Sequence, residues 1–88
     1  MASMLVQHQV KDYAEWKKAY DTLADVRSSN GELSEQIYRD ASDPNKLTLV
    51  FKWDSMENAR KYANSAELKA AMQNAGVEGH SVNFLNEI

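Results

Sequence analysis

Apolar residues in this 88-residue chain recur first at every second position, then at helical spacing, then at every second position again, and strand and helix periods alternate to its end. Period-two alternation marks a strand with one buried face, and a 3.6-residue period marks an amphipathic helix. The order therefore reads β-α-β-β-α-β. The expected fold class is α+β: a ferredoxin-like four-stranded antiparallel sheet with its helices on one face. Such an arrangement leaves the other sheet face uncovered.

The first strand is expected over residues 4–10, with Met4, Val6, His8 and Val10 on one face and Leu5, Gln7 and Gln9 on the other. Asp12, three residues before Glu15, is a capping pair that starts a helix at Tyr13. Trp16, Tyr20, Leu23 and Val26 form the stripe of that helix, and Asn30-Gly31 closes it. Residues 33–40 form a second strand on which only Ile37 is a strong inward hydrophobe, as suits a sheet edge. After a turn at Asp43-Pro44-Asn45, the strand at 46–54 carries Leu47, Leu49, Phe51 and Trp53 on one face, so it belongs in the sheet centre. Asp54 or Ser55 caps the next helix, with Met56, Ala59, Tyr62 and Ala63 inward. A break at Asn64-Ser65 leads to a short helix with Leu68, Ala71, Met72 and Ala75 inward and Gly76 at its end. The last strand is expected over 80–87, with His80, Val82 and Phe84 facing one way. One domain spans 4–88, and residues 1–3 read as an appended leader before a native start at Met4, with no structural role.

The charge balance narrows the partners. A net charge of -3, with Lys and Arg scattered along the chain, provides no footprint for nucleic acid or for an anionic membrane. The longest nearly apolar stretch, 47–51, is too short to span a bilayer and the first residues lack a signal pattern, so a cytoplasmic location is expected. There is no cysteine, hence no disulfide or thiolate metal site. With only His8 and His80 as imidazoles and no metal-ligand spacing, no metal site is expected.

If the helices cover the face of Val6, Ile37, Phe51 and Phe84, then Leu5, Gln7, Gln9, Tyr38, Val50 and Leu85 lie on the open face. That surface is too apolar to stay wet. Two copies packed sheet to sheet would bury it, so a homodimer is expected.

The string from Leu49-Val50-Phe51-Lys52-Trp53-Asp54-Ser55 to Met56-Glu57-Asn58-Ala59, followed by Ser65-Ala66-Glu67-Leu68-Lys69-Ala70-Ala71-Met72, resembles the antibiotic biosynthesis monooxygenase family. Members carry a strand ending in a Trp-x-Ser-type turn, a helix and a Ser-capped second helix. The first strand and the Asp12-Tyr13-Ala14-Glu15-Trp16 helix start are similar to small members of the same dimeric α+β barrel superfamily. The resemblance covers residues 4–85 and implies fold and dimer more specifically than reaction.

It also implies an oxidoreductase: a cofactor-free monooxygenase, with oxygen attacking the carbanion of a phenol or quinol held in an aromatic pocket. His8 and Tyr62 are then the candidate catalytic residues, and Trp16, Tyr20, Phe51, Trp53, Met72 and Phe84 the candidate substrate-binding ones, with no cofactor. The heme-degrading branch of the superfamily places a Trp where this chain has Tyr62 and a ligating His where it has Met72, so heme degradation is not expected. Read from the residues alone, His8 is either a hydrogen-bonded core histidine or a general base, and the aromatics are either core or a flat pocket for a ring. Three functions stay open: the monooxygenase, a polyketide-type cyclase or isomerase using the same pocket, and a non-enzymatic small-molecule binder or structural dimer.

Overall fold

A computed structural model describes residues 2–88, as strands β1 (Ala2–Val10), β2 (Glu32–Arg39), β3 (Lys46–Trp53) and β4 (Val77–Asn86) with helices α1 (Tyr13–Thr22), α2 (Ala24–Ser29), α3 (Met56–Ala63) and α4 (Ala66–Asn74). The antiparallel sheet runs β2-β3-β1-β4, the ferredoxin-like order. The helices form one layer over one sheet face, and the shortest dimension of the molecule is 17 Å. As the periodicity predicts, β3 is central and β2 is an edge. The inward faces of β1 and β3 supply the core: Met4, Val6 and Val10 against Leu47, Leu49, Phe51 and Trp53, with Trp16, Tyr20, Ala59 and Tyr62 from the helices.

Local chemistry fixes the element ends. Asp12 Oδ1 accepts from the Ala14 and Glu15 amides at the start of α1, at 2.8 and 3.3 Å. Of the two candidate caps for α3, Ser55 takes the place: its Oγ accepts from Asn58 N at 3.1 Å, while Asp54 Oδ1 accepts from the Asn58 side chain. The break at Asn64-Ser65 is present, and Ser65 Oγ accepts from Leu68 N to start α4. In the turn before β3, the Asn45 amide donates to Asp43 Oδ1 at 2.9 Å. The Asn45 side chain accepts from Tyr13 N and donates to Lys11 O, which ties that turn to the β1–α1 junction.

Four expectations are corrected. Ala2 and Ser3 have a structural role: both are buried in β1, where Ala2 pairs with Trp53 and Asn86, and Ser3 with Lys52 and Leu85. Met1, the other residue of that segment, lies outside the described residues. The long first helix is two helices, interrupted at Leu23, whose N–H bonds back three residues to Tyr20 O at 3.2 Å. Thr22 Oγ1 donates to Ala19 O at 2.6 Å, and such back-bonding bends helices. Third, β4 begins at Val77, not at His80. Gly76, at φ +72°, turns the chain directly out of α4, and a register shift between Gln9 and Val10 lets Val10 pair with Val77. Finally, the inner stripe of α4 is shallow: Ala75, at its C-cap, is buried, but Leu68, Ala71 and Met72 are only half-buried and α4 itself buries no residue fully.

Candidate active site

A cavity opens between α1, α4 and the helix-facing side of the sheet. Met4, Val6, Leu49 and Phe51 form its floor, Trp16 and Tyr20 one wall, and Leu68 and Met72 the other, with His8, His80 and Tyr62 as its polar tips. The void between the walls measures about 510 Å³ including its solvent-open mouth, but only about 40 Å³ of it admits the centre of a water-sized sphere. The α4 wall buries no residue fully.

His8 stands on β1 directly opposite His80 on β4. Their Nδ1 atoms are 3.0 Å apart, with ring planes 20° apart and centroids at 4.8 Å. His8 is 7% exposed while His80 is open to solvent. Burial, and secondarily the neighbouring His80, lowers the His8 pKa to about 4, and burial lowers that of His80 as well. Both imidazoles are therefore neutral at physiological pH.

An aromatic ladder runs from His8 across the cavity. The His8 and Trp16 rings are 6.2 Å apart and Trp16 lies nearly parallel to Tyr20 at 4.8 Å; the contacts continue through Phe51 and Trp53 to Tyr62. Of the residues singled out in the sequence, His8, Tyr62, Trp16, Tyr20, Phe51 and Met72 converge on the cavity. Trp53 and Phe84 do not line it. Trp53 is fully buried with its Nε1 unpaired, and Phe84 is half-buried beneath the Arg60 guanidinium.

A second polar group adjoins Tyr20 and Tyr62. Arg27, 1% exposed, lies 3.7 Å from the Tyr20 ring centroid and donates through Nη1 to Tyr20 O at 2.8 Å. Its Nε is 3.2 Å from carboxylate oxygens of both Glu32 and Glu35. Burial, reinforced by Glu35, raises the Glu32 carboxyl well above the usual carboxylate range. Burial likewise raises the Tyr20 and Tyr62 hydroxyls, keeping both protonated, and the Tyr20 hydroxyl is buried without a hydrogen-bond partner. Both phenol rings line the cavity, and Arg27 is the buried cation against the Tyr20 ring.

Sequence reasoning missed Arg27, Glu32 and Glu35, and considered His80 only as a metal ligand. Arg27 had a readable signal, because it continues the Trp16, Tyr20, Leu23 spacing and so puts a charge on an apolar stripe. Glu32 had none. An odd separation from Glu35 places it on the opposite face of a regular strand, but a register irregularity between Glu32 and Ser34 turns both carboxylates to the helix side, Glu32 opposite Trp53 and Glu35 opposite Phe51. Among the described residues no three His, Asp or Glu side chains cluster as a metal site.

A ferredoxin-like sheet backing an aromatic cavity under a two-part helix layer defines a small α+β class. Within it, the family profile for antibiotic biosynthesis monooxygenase matches residues 5–74, and the chain belongs to that family. No curated protein sequence matches it. Among solved structures it is similar to SnoaB, a cofactor-independent oxygenase from Streptomyces nogalater, at 10% identity and TM-score 0.81, over 99% of this chain and 92% of that one. It is also similar to a candidate antibiotic biosynthesis monooxygenase from Nitrosomonas europaea, at 16% identity and TM-score 0.76, covering 100% and 99%. A conserved protein from Methanosarcina mazei Go1 superposes at 17% identity and TM-score 0.77, covering 100% and 94%. At these identities the likeness establishes the fold.

Proposed function

We propose that this protein is a cofactor-independent monooxygenase of an electron-rich phenol or quinol, working as a homodimer through its open sheet face. The observation that carries the reading is a buried neutral imidazole, His8, in the wall of an otherwise aromatic and aliphatic cavity. The chemistry needs no external reductant. A phenol and dioxygen become a quinone and water: the ring supplies the electrons, one oxygen atom stays on carbon, and the other leaves with two protons. The protein's work is to hold the ring, exclude water and accept the hydroxyl proton. His8 takes that proton, while Tyr62 donates a hydrogen bond to the phenolate oxygen. The aromatic wall of Trp16 and Tyr20 stacks the ring.

Magnitudes constrain this scheme. With His8 at about 4 and a phenol near 10, leaving a full proton on His8 as a cation is uphill by about 8 kcal/mol, at about 1.4 kcal/mol per pKa unit. The proton must therefore move on or be shared. The cavity is also narrow for a ring, and in this reading α4, which buries no residue fully, moves outward to admit one.

That narrowness favours the second reading, a small-molecule binder or structural dimer whose aromatics are core. Oxygen consumption by the metal-free protein with hydroquinones and anthrone-like phenols separates the two. Uptake above the uncatalysed rate, lost in His8→Gln, supports the oxygenase. Ligand binding without uptake supports the binder, and conversion without oxygen supports a cyclase or isomerase.

A further inference from the structure

The two imidazoles are joined in a way that the proton-acceptor role of His8 does not require. We propose that His8 and His80 form a proton conduit, carrying a proton from the cavity to solvent on the β4 edge and returning it later in the cycle. The inference rests on the oxygenase reading for its substrate. It stands on geometry: the cross-strand register sets the two rings opposite each other, and Nδ1 to Nδ1 at 3.0 Å is a hydrogen bond only if one of the two nitrogens carries hydrogen. Exposure runs in one direction, from buried His8 to open His80.

In the resting pair His8 holds its proton on Nδ1 and donates it to His80 Nδ1, and His80 holds its own on Nε2. The substrate O–H bond breaks and its proton bonds to His8 Nε2. The Nδ1–H bond of His8 breaks as that proton bonds to His80 Nδ1. The Nε2–H bond of His80 breaks, and that proton goes to water. Because the Nδ1 proton leaves in concert with arrival of the substrate proton at Nε2, His8 is not left as a cation, which removes the uphill step that its burial imposes. When the second oxygen atom leaves as water it takes up a proton, and the same path run backwards returns one and restores the resting tautomers.

The surroundings leave the pair to act alone. The helix-side lining is uncharged, with Trp16 and Ala75 nearby, and the charged side chain in the shallow groove beneath the pair is Lys46, beside Gln7, Gln9, Gly79 and Ser81. In this scheme His8 takes the proton from the substrate and His80 is the relay residue that passes it to solvent.

Two measurements test this. In the wild-type protein, nitrogen-15 NMR at neutral pH should find His8 protonated at Nδ1 and bare at Nε2, with His80 the reverse; a proton resting on His8 Nε2 overturns the conduit. In His80→Gln, turnover should fall roughly tenfold or more, with KM unchanged and the rate restored by added imidazole. Unchanged turnover in that variant overturns the conduit while leaving the oxygenase intact. If the wild type consumes no oxygen, the oxygenase reading fails, and the tautomer measurement still decides whether the resting conduit exists.

Discussion

His8 shows how one side chain couples site and stability. Its folded pKa of about 4 lies below the ordinary 6.5 because burial disfavours the cation. Between those values the unfolded chain binds more protons than the folded one, so stability falls as pH drops from 6.5 through 4. At about 1.4 kcal/mol per pKa unit, His8 accounts for a loss of up to about 3 kcal/mol at pH 4 and below. Glu32 has the opposite sign: its carboxyl is raised, so its contribution is present at low pH and is lost as pH rises through its folded value. The two overlap in acid, and a difference measurement isolates His8. Urea unfolding from pH 4 to 7 should show a shallower acid loss in His8→Gln than in the wild type; equal slopes would mean that His8 is not buried as a neutral ring.

At the scale of elements, the break between α1 and α2 and the irregularity in β2 serve the same side chain. Interrupting the helix at Leu23 removes the usual i+4 donor from Tyr20 O, which accepts instead from Leu23 N and from Arg27 Nη1. Displacing one residue of β2 turns Glu32 inward beside Glu35. Arg27 thus ties α1, α2 and β2 together through a carbonyl and two carboxylates. Removing one partner of a buried ion pair leaves an uncompensated charge, so Arg27→Ala should cost about 3–5 kcal/mol in chemical denaturation. A loss under about 1 kcal/mol would place the guanidinium in solvent. The contrast with α4 is instructive, since that helix has a well-formed Ser65 cap and no fully buried side chain. Local capping makes α4 a helix, and it is a weakly packed wall of the cavity.

At the scale of the whole molecule, the two-layer arrangement leaves one sheet face bare. Leu5 and Val50 are half-buried there and Tyr38 and Leu85 are about half exposed, an apolar surface that the proposed sheet-to-sheet dimer would cover. Val50, on the central strand opposite Leu5 and Gln36, sits where a carboxylate is tolerated by a wet face but not by a buried one. Sedimentation should find the wild type at twice the chain mass, and Val50→Glu at the single-chain mass with an unchanged circular dichroism spectrum. A wild type that sediments as a single chain removes the dimer proposal. Among the described residues no helix is long and apolar enough to cross a membrane.

Sequence by itself determined the features that depend on near neighbours. The order of elements, the inward faces of β1 and β3, the caps at Asp12 and Ser65, the break before α4 and the exits at Gly31 and Gly76 are each decided within about one helical turn or one strand, where side-chain period and capping chemistry act. The convergence of His8, Tyr62, Trp16, Tyr20 and Phe51 followed from those faces. Only the tertiary structure decided which distant residues meet: His8 with His80, 72 positions away, and Arg27 with both Glu32 and Glu35. It also decided that Trp53 and Phe84 stand off the cavity and that the cavity is narrow. The reason is that register and bulges are set by pairing across the sheet. A displacement of one residue inverts which face a side chain occupies, and no local pattern records where that displacement falls.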